Sequence, residues 1–292
     1  LSGLLDDRHR PQHAKLKIDS QMTLSLKSLV GMALQDWGSD ESWQAISQLQ
    51  MRGSPEALAL ARRLANSRNC RKRALGLYMA SQLYRRQRGV PFGFVKYAVE
   101  DTQEMLLAGL HDISLDARYA AISGLGHRSH SLALPELVKF ASHPNQRVRF
   151  EVAVALGGYP EPDAVDALLR LAKDDSDAVR DWATFGIGSM HEVDSQRIRD
   201  LLWDNLQDTD EDVRGEALVG LAIRKDERVI PVLLKQLDTN CRVYELSASE
   251  AIGSPHLLER LNAIKDSVAN ENNIRSHWYG CLLDAIDACG RK

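Results

Sequence analysis

Along the chain, short apolar stripes at helical spacing alternate with polar, aspartate-rich breaks. Four segments align: RYAAISGLG from Arg118, RFEVAVALG from Arg149, RDWATFGIG from Arg180 and RGEALVGLA from Arg214. Each carries a small or apolar residue three positions after the arginine (Ala121, Val152, Ala183, Ala217) and a larger apolar one seven positions after it (Leu125, Leu156, Ile187, Leu221). Offsets of three and seven lie on one face of an α-helix. The four arginines are 31, 31 and 34 residues apart, and a period near thirty that holds two short helices predicts a solenoid. Fainter copies begin at Ser42, Arg71, Glu245 and Arg275.

A second apolar stripe precedes each arginine, at 132–141, 164–172, 197–206 and 229–237, with Pro135 and Pro231 near helix starts, where a missing N–H does no harm. The expected fold class is therefore all-α: a single α-solenoid (superhelix) of about eight helix pairs spanning 22–292. Residues 1–21 read as an N-terminal extension, poorly ordered or peripheral. The gap from Arg71 to Arg118 is 47 residues and contains Gly89-Val90-Pro91-Phe92-Gly93, which places an irregular insert at about 84–112.

The turns DDSDAVR at 174–180 and DTDEDVR at 208–214 put aspartates where a carboxylate accepts from free N–H groups at a helix start. The repeated Asp and Arg resemble an anion-binding row. A solenoid is held by nearest-neighbour interfaces, however, so the favoured reading ties the turn of one unit to the helix of the next.

Composition is that of a folded protein, with 44% apolar and 26% charged residues and a mean hydropathy of −0.31. No apolar run reaches the roughly 18 residues of a membrane helix, and the first twenty residues are too polar for a secretory signal. The expectation is a cytoplasmic protein without membrane contact. Cys70, Cys241, Cys281 and Cys289 show no CxxC spacing and read as reduced, mostly buried thiols. Net charge is −3 but unevenly spread. Arg52 to Lys96 holds eleven bases against Glu56 alone, while Pro160 to Asp238 holds nineteen acids and ten bases.

The stretch Asp175-Ser176-Asp177-Ala178-Val179-Arg180, with Pro162 to Leu169, resembles the HEAT-like repeats first catalogued in phycobilisome lyases. The run from Val179 to Gly253 is similar to a family of bacterial HEAT-repeat proteins encoded beside Rhs-type polymorphic toxins and proposed as their immunity proteins. The resemblance implies a cytoplasmic protein that binds and neutralises a toxin domain. Two alternatives stay open: a HEAT-repeat lyase or chaperone-like protein acting on a bilin or similar ligand, and a nucleic-acid-binding HEAT protein.

Trp182 falls two positions after its repeat arginine, where the sister units place Ala120, Glu151 and Glu216. The slot reads as solvent-facing, and a Trp there is a candidate partner contact. Trp203 stands where other units have Val138, Leu169 and Leu234 and reads as core. The polar sides of the first helices add Lys139, Asp163, Asp166, Arg170, Arg197, Asp200 and Asp204 as candidate partner-binding residues. Arg62, Arg63, Arg68, Lys72, Arg73, Arg85, Arg86 and Arg88 form a basic patch with tyrosines and phenylalanines among them. An acidic protein is the preferred partner for that patch, ahead of nucleic acid.

Support for catalysis is thin. GxGxxG, P-loop, GxSxG and HExxH motifs are absent from the sequence, and no catalytic residue is assigned. His127 and His130 lack a third ligand nearby. His191-Glu192 is one His-Glu pair, where HEAT-repeat di-iron hydroxylases need several. The expectation is therefore no cofactor, no metal and a binding protein rather than an enzyme.

Overall fold

A computed structural model describes residues 24–87, 93–268 and 276–291. The expected extension at 1–21, together with Arg88 and Arg275, lies outside them. Among the described residues there are sixteen α-helices and one pair of short strands. The chain divides into two compact units, Leu1–Leu132 and Ala133–Lys292.

The first unit holds three helix pairs: α1 (Leu26–Gln35) with α2 (Asp40–Gln50), α3 (Pro55–Ala65) with α4 (Cys70–Ser81), and α5 (Val99–Gly109) with α6 (Leu115–His127). Helix starts are set locally. Ser25, Ser39, Ser54 and Asn69 each accept an N–H from the first turn through the side chain, a cap worth about 1 kcal/mol. Each second helix packs on the next, α2 on α4 and α4 on α6. The core between α1 and α4 is built from Leu29, Ala33, Ile46, Leu49, Leu64, Leu75 and Met79. At Gly76 a Cβ would lie 2.4 Å from the Ala65 backbone nitrogen, so α3 and α4 approach more closely than any side chain allows.

Between α4 and α5 lies an antiparallel ribbon of β1 (Tyr84–Arg86) and β2 (Phe94–Lys96), with Tyr84 opposite Lys96 and Arg86 opposite Phe94. Within the region expected to be irregular, the interruption of the helical pattern ends at Ala98. The residues that follow are α5, an ordinary first helix.

The second unit holds five pairs: α7 (Leu134–Phe140) with α8 (Gln146–Leu156), α9 (Pro162–Leu171) with α10 (Asp177–Phe185), α11 (Gln196–Asn205) with α12 (Glu211–Ile223), α13 (Val229–Gln236) with α14 (Val243–Ile252), and α15 (Leu258–Val268) with α16 (Ser276–Gly290). The second helices stack in order, α8 on α10, α10 on α12, α12 on α14 and α14 on α16. The residues at offsets three and seven, Val152, Leu156, Ala183, Ile187, Ala217 and Leu221, are all 0% exposed. Helix α10 runs into a π turn, Gly186–Met190, where Gly188 and the α12 residue Gly220 meet backbone to backbone. A Cβ on Gly220 would lie 2.7 Å from the Gly188 Cα. Each unit is thus a stack of helix pairs, and the fold is an all-α solenoid.

Candidate functional site

Two of the recurring arginines, Arg149 and Arg180, and Arg73, two residues past the Arg71 that heads its repeat in the sequence, form rungs to aspartates of the following pair. Arg149 donates Nε and Nη2 to the two carboxylate oxygens of Asp174 at 2.6 and 2.8 Å, and Arg180 does the same to Asp208 at 2.8 Å for both. Arg73 reaches Asp112 at 2.7 and 2.9 Å. Each aspartate also accepts the backbone N–H two residues on, from Ser114, Ser176 and Asp210. The free arm of each arginine donates to a carbonyl of its own turn, Ser67, His143 or Asp174. With both oxygens and the guanidinium fork engaged, the row is architecture and offers no vacancy for an anion.

The polar residues of the first helices line an exposed surface in the second unit. Lys139, Asp163, Arg170, Asp200 and Asp204 are exposed. Arg197 of α11 donates to Asp166 of α9 at 2.6 Å, with side chains 64% and 51% exposed. That pair adds little stability in water and leaves both groups within reach of a partner. Asp200 accepts from Gln196 at 2.7 Å. Trp203 is half-buried rather than core: the Arg228 guanidinium lies 4.7 Å from its ring centroid, and Arg228 is anchored in turn on Asp226 at 2.6 Å.

The slot of Trp182 is less open than the sequence suggests. Ala120 is 0% and Glu216 5% exposed, because the stacked second helices cover this position. Trp182 itself is half-buried. It meets Phe150 of α8 edge-on at 6.1 Å and Phe185 at 5.7 Å. Beside Phe150 is a shallow, open hollow of 460 Å³ lined by Asn145, Gln146, Arg147 and Phe150. On the next residue of α8, burial pushes the Glu151 carboxyl up to about 7, with Arg147 opposing.

The described basic residues of the first unit fall into separate groups. Arg73 belongs to a rung, and Arg62 is paired with Asp101. Arg63, Arg68 and Lys72 are exposed near the end of α3 and the start of α4, whereas Arg85 and Arg86 are exposed on the ribbon beyond the far end of α4. A helix of twelve residues separates the two groups by about 18 Å.

His191 is 7% exposed with its ring 3.3 Å from the Leu156 carbonyl oxygen, while Glu192 is exposed. His127 is exposed, and its carbonyl accepts from Lys96. His130 Nδ1 accepts the Leu132 N–H. Cys241 and Cys289 are buried, Cys281 is half-buried and Cys70 is exposed. Among the described residues no group of three or more His, Cys, Asp or Glu is arranged to hold a metal ion, and no helix is long and apolar enough to cross a membrane.

Two arginines that the periodicity left unremarked are buried and spend their donors on backbone carbonyls. Arg128, 2% exposed, donates to the carbonyls of Ser81 and Leu83. Arg224, 8% exposed, donates to those of Ile187, Gly188, His191, Val193 and Gly220. Their one signal in the sequence is a shared offset, ten residues after Arg118 and Arg214 respectively.

A model of HEAT repeats matches residues 104–188 and 170–253. The chain is 30% identical over 241 residues to Protein YibA of Escherichia coli K12, covering 79% of this chain and 82% of that one. The crystal structure of E. coli YibA superposes with a TM-score of 0.63 at 26% identity, over 92% of this chain and 93% of the other. A Kap121p variant matches with a TM-score of 0.53 at 14% identity over 84% of this chain and 28% of its own, a likeness of fold. The complex of CpcE and CpcF of phycocyanin lyase from Nostoc matches at 0.47 and 18% identity, over 79% of this chain and 94% of that one, a level that says nothing about activity.

Proposed function

The chain belongs to the HEAT-repeat family, and from that premise we propose that it is a protein-binding scaffold whose partner is the toxin domain of a polymorphic toxin, neutralised by occlusion. Occlusion asks no chemistry of the binder, only a surface that keeps its shape while it is covered. Stacked pairs tied by bidentate rungs supply that surface. The observation that carries the reading is the contact of Phe150 with Trp182, two half-buried rings from adjacent second helices held edge to face at 6.1 Å. Rings already fixed by each other lose little rotamer freedom on binding, and Trp is over-represented among residues that dominate interface energies. The exposed charges of α9 and α11, Asp163, Arg170, Asp200 and Asp204, form a second surface suited to steering an oppositely charged partner.

The test is co-expression of the tagged full chain with the product encoded immediately upstream, scored by co-purification and by survival of cells that make the toxin. Trp182→Ala is expected to weaken the complex by about thirtyfold, the effect of losing a hot-spot Trp. If the neighbouring product is no toxin, or if intoxicated cells are not rescued by the wild-type chain, the reading is lost.

A further inference from the structure

The β1–β2 ribbon joins a fixed base to bare faces. At the base, the Gly53 N–H donates to the Tyr84 carbonyl at 2.7 Å. A Cβ on residue 53 would meet that same oxygen at 2.7 Å, so only glycine lets the ribbon lie on the turn before α3. Arg128 grips the approach to β1 through the Ser81 and Leu83 carbonyls at 3.0 and 2.6 Å, and Lys96 of β2 donates to the His127 carbonyl at 2.8 Å. Past this base the described residues of the ribbon are largely exposed. Arg85 and Arg86 are exposed, and Phe94 and Val95 are 41% and 38% exposed. The register pairs Arg86 with Phe94 and Arg85 with Val95, which puts one cation beside one apolar side chain on each face.

A lone two-stranded ribbon is marginal in water. This one is held by a buried guanidinium instead of a core of its own, and among the described residues the helix pairs of the second unit follow one another without any such element. Insertions in repeat arrays map to loops on one face, often the binding face.

We propose that the ribbon is a docking arm for an acidic protein segment that folds over its edge, so that on each face an apolar side chain covers Phe94 or Val95 while a carboxylate pairs with Arg86 or Arg85. This deepens the scaffold reading and rests on it, since it takes the partner to be a protein. Charge selects the occupant: among the described residues from Gln82 to Ala98, Arg85, Arg86 and Lys96 are basic and none is acidic. Protein is favoured over nucleic acid because an aliphatic side chain, Val95, shares the surface with the cations.

The probe is a short fluorescein-labelled peptide that repeats two glutamates and two valines, so that each side of the extended chain carries both, titrated with the purified full chain and read by anisotropy at low and moderate salt. Saturable binding that weakens with salt is expected. Arg85→Glu with Arg86→Glu should weaken it by about tenfold or more, as loss of directly paired charges does. Phe94→Ser with Val95→Ser should weaken it with circular dichroism unchanged. Arg63→Glu with Arg68→Glu, a charge change of the same size on exposed residues elsewhere in the unit, should leave it nearly unaltered.

Three results overturn the proposal. One is absence of saturable binding, or equal loss in both charge variants. The second is displacement of the peptide by single-stranded oligo-dT at lower concentration than by unlabelled peptide, which assigns the ribbon to nucleic acid. The third is a dimer of this chain that Arg85→Glu with Arg86→Glu abolishes, which assigns it to a second copy. Loss of the arm with Trp182-dependent co-purification intact leaves the scaffold reading standing, whereas failed co-purification with peptide binding intact removes the toxin partner alone.

Discussion

Arg128 and Arg224 hold the same place in their repeats, and each drives a buried guanidinium into carbonyls at the C-terminal end of the second helix of the preceding pair. Arg128 serves the end of α4, at Ser81 and Leu83. Arg224 serves the π turn after α10, at Ile187 and Gly188, and then His191 and Val193. A helix end leaves its last carbonyls without intrahelical partners. Here one side chain from the following pair supplies the donors, and the two pairs are joined in the process.

Arg224→Met keeps the aliphatic stem and removes the donors, so it strips several buried carbonyls at once. A loss of about 3 kcal/mol is expected, on the scale of breaking a buried polar network. The check is the shift in urea-unfolding midpoint followed by tryptophan fluorescence. The exposed Arg170→Met should shift it hardly at all.

The rungs make the fold sensitive to acid. The Arg73 hydrogen bond holds Asp112 below its ordinary value, against the pull of burial. For Asp208, burial acts upward and is outweighed by the Arg180 hydrogen bond and the Asp210 N–H, so its carboxyl also lies low. A carboxyl depressed in the folded chain stabilises at pH above its unfolded pKa of about 3.9 and loses that contribution as pH falls through the folded value. Stability should therefore fall on acidification below about pH 4. Asp208→Asn should cost about 1–3 kcal/mol at neutral pH and flatten that acid limb, as read by urea midpoints across the range.

Glu151 has the opposite sign. Its carboxyl, raised to about 7 by burial, favours the folded state while protonated, and that contribution is lost as pH rises through about 7. Glu151→Gln should raise stability at pH 8 by roughly 1–2 kcal/mol, discounted for partial exposure, and leave it nearly unchanged near pH 4. Equal effects at both pH values would contradict this assignment.

Two helical glycines should respond in opposite directions to the same substitution. At Gly31 in α1 an added Cβ meets nothing within 4 Å, so Gly31→Ala should stabilise by about 0.5–1 kcal/mol through helix propensity. At Gly76 it meets the Ala65 nitrogen at 2.4 Å and the Ala61 oxygen at 2.6 Å, both backbone, so Gly76→Ala must force α3 and α4 apart and should destabilise by about 2 kcal/mol or more. Thermal melts of the two variants decide it.

The helix pairs are legible in the sequence because one residue triplet, Arg and the apolar positions three and seven beyond it, recurs from Arg118, Arg149, Arg180 and Arg214, and the rungs are legible because Asp174 and Asp208 recur with it. The surroundings of Trp182 are not. Glu151 and Glu216 in the equivalent slots suggest open solvent, but exposure there is set by how closely successive second helices stack, which no single helix encodes. The buried arginines escape notice because only two repeats use the position, Tyr159 and Met190 standing there in others. The ribbon escapes because strands of three residues are too short for alternation to register among the glycines and proline around them.

Each rung has its donor in the second helix of one pair and its acceptor in the turn between the two helices of the following pair, so no repeat contains both halves of the interaction that secures it. The α9–α10 pair taken alone would carry Arg180 without Asp208 and Asp174 without Arg149, so this fastening exists only where two neighbours meet.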